Sequence, residues 1–309
     1  MPKVHLISIT EPFILDLAVA LCERGYSVSV SGKDIDSRIM QRLNDYGCLC
    51  HGDGWFPQEL SRDINTVVLG SDVTSDNPEL ICARDMRLLI QSIPEFIFER
   101  TKSKTRVAVA GSSDKSQIIQ MMIYALLNRR MAFDYALSSP NAQLPNLVSL
   151  RHTSPIALIE GDEQLTSALE RRFLLEFYRP HIAILTHQVG SEENSPTGQE
   201  AYFEMFRSFI HAIERDGKLI YCEEDERICR LVEEVRSDIT CLPYRAHAVI
   251  EKEGGSYLPT RFGEFPLYLP NDAHFLFNIN AARLACRQMG MKEIDFYQAI
   301  SEYSLSLQA

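Results

Sequence analysis

The amino-acid sequence predicts an α/β protein built from two doubly wound domains with mainly parallel sheets. Short runs of β-branched residues alternate with segments of helical apolar spacing, first within residues 1–102 and again from Val107 onward. A polar and basic segment without an apolar anchor, residues 100–105, separates the two series. Alternating strands and helices are typical of a parallel sheet with crossover helices, so we expect one such sheet in each domain.

The first series contains three predicted strands and four predicted helices. The predicted strands are residues 3–10, 27–32 and 66–70. The predicted helices are residues 12–25, 37–46, 77–89 and 94–102. Gly25 and Gly47 mark the ends of the first two helices, as glycine commonly does where a helix stops.

The second series continues the same alternation and adds a β-rich excursion. Its predicted strands are residues 106–110, 156–160, 182–186 and 218–222. Its predicted helices are residues 117–128, 163–173, 200–215, 225–234, 272–289 and 293–303. Residues 242–269 lack helical spacing and predict β structure outside the main sheet.

Composition excludes several classes of protein. The chain has 309 residues, of which 45% are apolar and 24% charged, so it is globular and long enough for two buried cores. Thirty-one basic and 42 acidic residues give a net charge of −11, which argues against nucleic acid or an anionic membrane as the main partner. The sequence has no apolar run of about 18 residues and no signal-peptide pattern at its start, so we expect a cytoplasmic protein.

The eight cysteines predict neither a metal centre nor a disulfide framework. They are scattered through apolar or helical surroundings, and only Cys48 and Cys50 lie close together. One intervening residue, with no second pair nearby, is a poor zinc signature. We therefore expect buried free thiols.

Residues 106–128 combine a buried-strand pattern, a glycine turn, a Lys-Ser pair and an amphipathic helix. This order is typical of a nucleotide phosphate-binding loop, in which backbone N–H groups receive phosphates, Lys reaches the outer phosphates and the hydroxyl holds Mg²⁺. The candidate nucleotide ligands here are Gly111, Ser112, Lys115 and Ser116. Asp114 stands where such a loop normally has glycine, and its carboxylate would repel a triphosphate. Dinucleotide binding is disfavoured because no GxGxxG follows a predicted strand.

Several segments, in their order and spacing, resemble the Mur ligases, the ATP-dependent enzymes that add amino acids to the UDP-muramyl precursor of peptidoglycan. The first domain contributes KVHLISI, LCERGYSVSVSGKD and GSDVTSDNPELICARDM. The second contributes the loop above, IEGDE, YRPHIAILTH and AHFLFNINAARLA. The resemblance covers essentially the whole chain and is nearest to the alanine-adding and murein-tripeptide branches of the family.

The resemblance implies a domain organisation. Residues 1–102 correspond to the Rossmann-like, UDP-binding N-terminal domain, and residues 103–309 to the P-loop-type, ATP-binding central domain. The family's third, C-terminal ligase domain would follow the helix at 293–303, and the chain stops soon after it. We therefore expect that domain to be absent from this polypeptide.

The resemblance also implies ATP and Mg²⁺ as cofactors, with binding weakened or lost. Glu160 and Ser116 correspond to magnesium ligands, and Glu192 stands where the family has a metal-binding His. His274 and Asn278 match a helix start that contacts the nucleotide, whereas Phe275 replaces the Asn that addresses adenine. Capping or packing remains the alternative role for His274.

The loop after the first predicted strand departs from the family's glycine-rich UDP diphosphate loop. It reads Ser-Ile-Thr-Glu-Pro-Phe at residues 8–13 and contains no glycine. Glu11 adds negative charge and Pro12 lacks an N–H donor. Pro12 instead fits the first position of a helix capped by Thr10 or Glu11, so UDP-sugar binding in the family manner is not expected.

Three functions follow as hypotheses. The first is a non-catalytic Mur ligase homologue that binds, scaffolds or regulates in peptidoglycan precursor metabolism. The second is an active ATP-dependent ligase that joins UDP-N-acetylmuramate to alanine or a peptide, and the third is a nucleotide sensor without turnover. The expected partners are a nucleotide, a cell-wall synthesis protein, or a second copy docked where the third domain would lie.

Overall fold

We describe the protein from a computed structural model, which covers residues 1–9, 11–111, 114–151, 153–161, 165–167, 170–186, 196–268 and 273–307. The chain forms two compact units. Unit 1 comprises Met1–Ser103, Asp134–Thr153 and Gln164–Tyr178. Unit 2 comprises Lys104–Phe133, Ser154–Glu163 and Arg179–Ala309.

The N-terminal third of the chain alternates strands and helices. The strands are β1 (Lys3–Ile7), β2 (Ser27–Ser31), β3 (Leu49–Cys50), β4 (Thr66–Leu69) and β5 (Ile90–Ser92). The helices are α1 (Pro12–Glu23), α2 (Ser37–Asp45), α3 (Pro78–Asp85) and α4 (Ile93–Thr101), with a short 3-10 turn at Pro57–Glu59.

The remainder of the chain continues the alternation and adds antiparallel pairs. Its strands are β6 (Thr105–Ala110), β7 (Phe133–Ala136), β8 (Val148–Ser149), β9 (Ile156–Glu160), β10 (Leu165–Ser167), β11 (Glu170–Phe173), β12 (Ile182–Leu185), β13 (Lys218–Cys222), β14 (Thr240–Tyr244), β15 (Ile250–Lys252), β16 (Gly255–Thr260) and β17 (Gly263–Leu267). Its helices are α5 (Asp114–Asn128), α6 (Leu174–Tyr178), α7 (Pro196–His211), α8 (Glu226–Glu233), α9 (Ala273–Gln288) and α10 (Glu293–Ser306).

Unit 1 contains a five-stranded sheet in the order β3-β2-β1-β4-β5. Every neighbouring pair in it is parallel. The central strand β1 is buried from Val4 to Ile7, and α1 is buried along most of its length. A strand covered on both faces reads as a continuous apolar run, which is why β1 was recognisable from sequence.

Unit 2 contains five parallel strands in the order β14-β13-β12-β6-β9. Strand β6 is central and is fully buried from Val107 to Ala110. Residues 250–267 form a separate antiparallel sheet, β15-β16-β17, which confirms the predicted β-rich excursion. The α/β class with mainly parallel sheets is therefore confirmed.

One predicted helix is wrong. Residues 165–167 and 170–173 form an antiparallel pair of strands, β10 and β11, where the sequence predicts a helix at 163–173. Helical and strand periodicity are hard to separate in a short segment, and the cross-strand partner that decides between them is not visible in local propensity. Residues 134–153 and 164–178, placed by the sequence in the second domain, group with unit 1.

Two further properties of the described residues concern the cysteines and the hydrophobicity of the helices. All eight cysteines are free thiols, and Cys48, Cys222 and Cys286 are buried. Among the described residues, no helix combines the length and the apolar character that crossing a bilayer requires.

Within unit 1, Asp16 on α1 forms a hydrogen bond with the segment before β8. Asp16 is buried, and its carboxylate accepts hydrogen bonds from the Leu147 N–H at 2.6 Å and from Arg42 Nη2 at 2.5 Å. Replacing Asp16 with Ala should destabilise unit 1 by about 2–3 kcal/mol, because it leaves a buried N–H without an acceptor. Hydrogen exchange should therefore accelerate in a peptide containing Leu147. Asp45→Ala, at the exposed end of α2, is the matched control, and equal exchange in the two variants would contradict this role.

Candidate nucleotide site

The turn between β6 and α5 is the predicted phosphate loop. Strand β6 ends at Ala110, and Gly111 adopts a φ of +127°, a backbone conformation that side chains rarely allow. Helix α5 begins at Asp114, three residues earlier than predicted, so Lys115 and Ser116 lie in its first turn. A buried strand and a helix therefore flank the predicted phosphate loop. Ser112 and Ser113 lie outside the described residues.

Ser116 and Glu160 are brought into direct contact. Glu160 is the last residue of β9, pairs in register with Val109 of β6, and is 4% exposed. The Ser116 hydroxyl donates a hydrogen bond to Glu160 Oε1. Two of the predicted metal ligands thus share one place at the edge of the sheet, while the third, Glu192, lies outside the described residues.

The side chain of Asp114 contacts helix α9. Its Oδ2 lies 3.4 Å from His274 Nδ1, a contact that is an ion pair only when the imidazole is protonated. The Asp114 side chain is 15% exposed and that of His274 is 45% exposed. A carboxylate at the start of a helix also interacts favourably with the helix dipole. His274 therefore engages the residue that replaces the usual glycine of the loop.

Asn278 is one helical turn further along α9 and makes a second contact with α5. Its Nδ2 donates to Gln117 Oε1 at 2.6 Å, and only 1% of its surface is exposed. Phe275 is 2% exposed and belongs to the core in this conformation, so its ring does not present a face for stacking on a base. Nucleotide binding by His274 and Asn278 stays a prediction.

The packing of α5 against α9 is not predicted from the sequence, although the spacing of polar residues on the two helices allows it. Asp114 and Gln117 are three residues apart on α5, and His274 and Asn278 are four apart on α9. Both spacings place side chains on one helix face, so two matched polar pairs can form when the helices pack. The choice of partner helix depends on the tertiary fold.

Backbone N–H groups of the loop after β1 form hydrogen bonds within the protein. The N–H groups of Ser8 and Ile9 both donate to the Ser31 carbonyl, at 3.0 and 3.2 Å. Ser8 has a φ of +67°, the left-handed region that favours glycine, so the turn keeps a glycine-like geometry without a glycine. Two backbone donors of the kind that a diphosphate loop offers are thereby engaged with β2.

The start of α1 matches the expected cap position. Pro12 occupies the first turn and Glu11 is the N-cap residue, although its side chain makes no capping hydrogen bond. Instead, the Glu11 carboxylate accepts a hydrogen bond from the Ser71 hydroxyl. Thr10, the other proposed cap, lies outside the described residues.

Among the described residues, no group of three or more His, Cys, Asp or Glu side chains has a metal-binding arrangement. A cation at the Ser116–Glu160 contact would therefore need further ligands from elsewhere, such as phosphate oxygens or water.

No family model matches the chain. Several curated proteins do, and they share one function. UDP-N-acetylmuramate–L-alanine ligase of Paenarthrobacter aurescens is 30% identical over 226 residues, covering 72% of this chain and 46% of that protein. The enzyme of the same name from Streptomyces griseus is 24% identical and covers 98% of this chain and 66% of that protein.

The chain belongs to the Mur ligase family. It spans 46–66% of the length of the curated relatives it matches.

Solved structures of Mur ligases share the fold. UDP-N-acetylmuramate:L-alanyl-γ-D-glutamyl-meso-diaminopimelate ligase from Neisseria meningitides superposes with a TM-score of 0.81 at 17% identity, covering 97% of this chain and 98% of that one. UDP-N-acetylmuramate–alanine ligase of Thermotoga maritima gives a TM-score of 0.68 at 19% identity, covering 98% and 68%. The MurF ligase of Thermotoga maritima, with a TM-score of 0.52 at 16% identity over 88% and 62%, was crystallised with ADP.

The residues of this Mur ligase homologue fit the family's cofactors unequally. Ser116 and Glu160 supply oxygen donors of the kind that Mg²⁺ prefers. Asp114 adds a carboxylate to the helix start that would receive a phosphate, and like charges in a confined site repel strongly. The oxygen donors therefore fit Mg²⁺, and weakened binding of a triphosphate at this loop stays a prediction.

Proposed function

We propose that the chain is a non-catalytic Mur ligase homologue with a binding, scaffolding or regulatory role in peptidoglycan precursor metabolism. The observation that carries the proposal is the contact between Asp114 and His274 at the start of α5. In it, a carboxylate of the protein occupies the helix start that a catalytic loop reserves for phosphate. The helix dipole then interacts with this carboxylate instead of with a nucleotide phosphate.

The N-terminal loop supports the same proposal independently. Because the amides of Ser8 and Ile9 already donate to Ser31, they would have to break these bonds to bind a diphosphate. Ligase chemistry requires the UDP-linked acid and the nucleotide to be aligned together. Loss of donors at one site and added repulsion at the other both act against it.

A direct activity assay tests the proposal. The purified chain is incubated with UDP-N-acetylmuramate, L-alanine and MgATP, and phosphate release and the coupled product are followed, the latter by mass spectrometry. We expect neither above background. Lys115→Ala serves as the control, because a true family reaction depends on the lysine that neutralises the transferring phosphoryl group. Product formation that is abolished in Lys115→Ala would contradict the proposal.

A second candidate is a nucleotide sensor that binds without turnover. It is favoured by the contact between Ser116 and Glu160, which keeps two magnesium-type donors side by side. Saturable MgATP binding by the unmodified chain, without product formation, would select this candidate over a scaffold.

A further inference from the structure

Unit 2 contains a cavity of about 510 Å³ that lies outside the phosphate loop. It is bounded by the segment after β14, the turn between β16 and β17, and helices α9 and α10. Each of the first three elements contributes one arginine to its lining, namely Arg245, Arg261 and Arg283. Guanidinium groups from separate elements therefore converge on one space.

The arginines at this cavity outnumber the carboxylates that they contact. Glu293 accepts from Arg261 Nη2 and from Arg283 Nη1, both at 2.5 Å, and lies 3.7 Å from Arg287 Nη1. Arg245 is paired with Glu223 at 2.8 Å. Three guanidinium groups and one carboxylate line the cavity itself, which leaves local positive charge on a chain whose net charge is −11.

The arginines differ in exposure: Arg283 is mostly buried, whereas the guanidinium groups of Arg245 and Arg261 are accessible to solvent. The Arg283 and Glu293 side chains are 19% and 11% exposed, so their ion pair forms the base. Arg245 and Arg261 are 73% and 71% exposed. An arginine head carries five N–H donors, so each exposed head keeps donors for a second oxyanion beyond its present carboxylate.

Two further lining residues, Tyr297 and His247, are uncharged and contact each other. Tyr297 is buried, its ring stacks on Phe265 with centroids 5.5 Å apart, and its hydroxyl lies 2.9 Å from His247 Nε2. His247 Nδ1 lies 2.8 Å from the Ala248 carbonyl oxygen and donates to it, so the neutral ring accepts from Tyr297. Burial, reinforced by the charge of Arg283, lowers the pKa of His247 and keeps it neutral near pH 7. The positive charge of the cavity therefore comes from arginine alone.

We propose that this cavity binds a small phosphate-bearing molecule through Arg245 and Arg261, with the Arg283–Glu293 pair as the base of the site. A phosphate group carrying two negative charges matches the excess of two guanidinium groups. Arginine forks bind phosphate oxygens in a bidentate manner that surface lysines cannot reproduce. The site is separate from the Lys115 loop and does not depend on the function proposed for it.

Calorimetric titration with inorganic pyrophosphate, in metal-free buffer of low ionic strength, tests the site. The unmodified chain should bind, and the double variant Arg245→Ala/Arg261→Ala should lose at least about tenfold in affinity, because it removes two charge-assisted contacts. Both arginines are exposed, so the variant should keep its fold, which its melting temperature checks. Arg215→Ala, an 87% exposed arginine of unit 2, is the matched control and should bind as the unmodified chain does.

Two further titrations distinguish this cavity from the phosphate loop and phosphate recognition from general attraction of anions. Lys115→Ala should bind pyrophosphate with the affinity of the unmodified chain, because Lys115 belongs to the phosphate loop and not to this cavity. Glutarate, a dicarboxylate, should bind at least about tenfold more weakly than pyrophosphate if phosphate recognition by arginine forks dominates. The proposal is overturned if the unmodified chain does not bind pyrophosphate, if Lys115→Ala alone abolishes binding, if Arg215→Ala weakens it equally, or if glutarate binds as tightly.

Discussion

Asp114→Gly should raise the affinity of the chain for MgATP by at least about tenfold, since two unit charges about 8 Å apart repel by about 2 kcal/mol at an effective dielectric constant of about 20. The substitution removes the carboxylate that contacts His274 and restores the residue that phosphate loops normally place before Lys. Isothermal titration calorimetry of both proteins with MgATP measures the change.

Two variants separate the causes of this effect. Asp114→Asn keeps the size of the side chain but removes its charge, so an affinity close to that of Asp114→Gly would assign the effect to electrostatics. An affinity close to that of the unmodified chain would assign it to side-chain bulk. Adding Lys115→Ala to Asp114→Gly should abolish the gain, because the lysine contacts the outer phosphates. Micromolar binding by the unmodified chain would show that Asp114 does not close the loop.

Glu79→Ala should destabilise unit 1 by about 3–5 kcal/mol, because it removes a buried carboxylate that several polar groups contact, and each buried group left without a partner costs about 1–3 kcal/mol. The Glu79 side chain is fully buried at the start of α3. It contacts three elements: it accepts from the Phe56 N–H at 2.6 Å and from the Ser31 hydroxyl, and it lies 3.3 Å from His5 Nε2. Its removal would leave each of these groups without its acceptor.

Urea denaturation of the whole chain measures this loss in the free energy of unfolding. Glu59→Ala is the matched control, because Glu59 lines the same small cavity beside His5 but its side chain is 48% exposed. We expect a change below about 1 kcal/mol for the control, as is usual for an exposed carboxylate. Equal losses in the two variants would show that Glu79 is not the anchor of this region.

The same residue predicts the response of unit 1 to acid. Burial alone would raise the pKa of Glu79, but its hydrogen bonds to His5, Ser31 and the Phe56 amide outweigh burial and lower it. The unfolded chain therefore binds a proton more readily, and the contribution of Glu79 is complete above its ordinary pKa of about 4.3. This stability is lost as the pH falls from there through the lower folded pKa. Glu79→Gln should flatten the decrease, and an unchanged pH profile would contradict the assignment.

Parts of the fold and the candidate site were predictable because their signals are local. Strands β1 and β6 are rich in buried apolar residues, and the glycine and the Lys-Ser pair after β6 predict a turn that leads into a helix. The resemblance assigned Ser116 and Glu160 to one metal site, and the structure brings them into contact, because the first turn of α5 follows β6 and Glu160 ends the neighbouring parallel strand β9. Short strands such as β3 and β5, with two and three residues, carry too little periodicity to be recognised.

The sequence by itself determined the fold class and the family, because apolar periodicity and the order of short motifs are properties of residues close together in the chain. Only the tertiary structure decided which polar groups meet. The pairs Asp114–His274, Glu79–His5 and Arg261–Glu293 join residues that are distant in the chain. Such pairings depend on how helices and strands pack, and no local propensity encodes them. For this Mur ligase homologue, the candidate site residues could be identified from the sequence, whereas their contact partners depend on the packing of helices and strands.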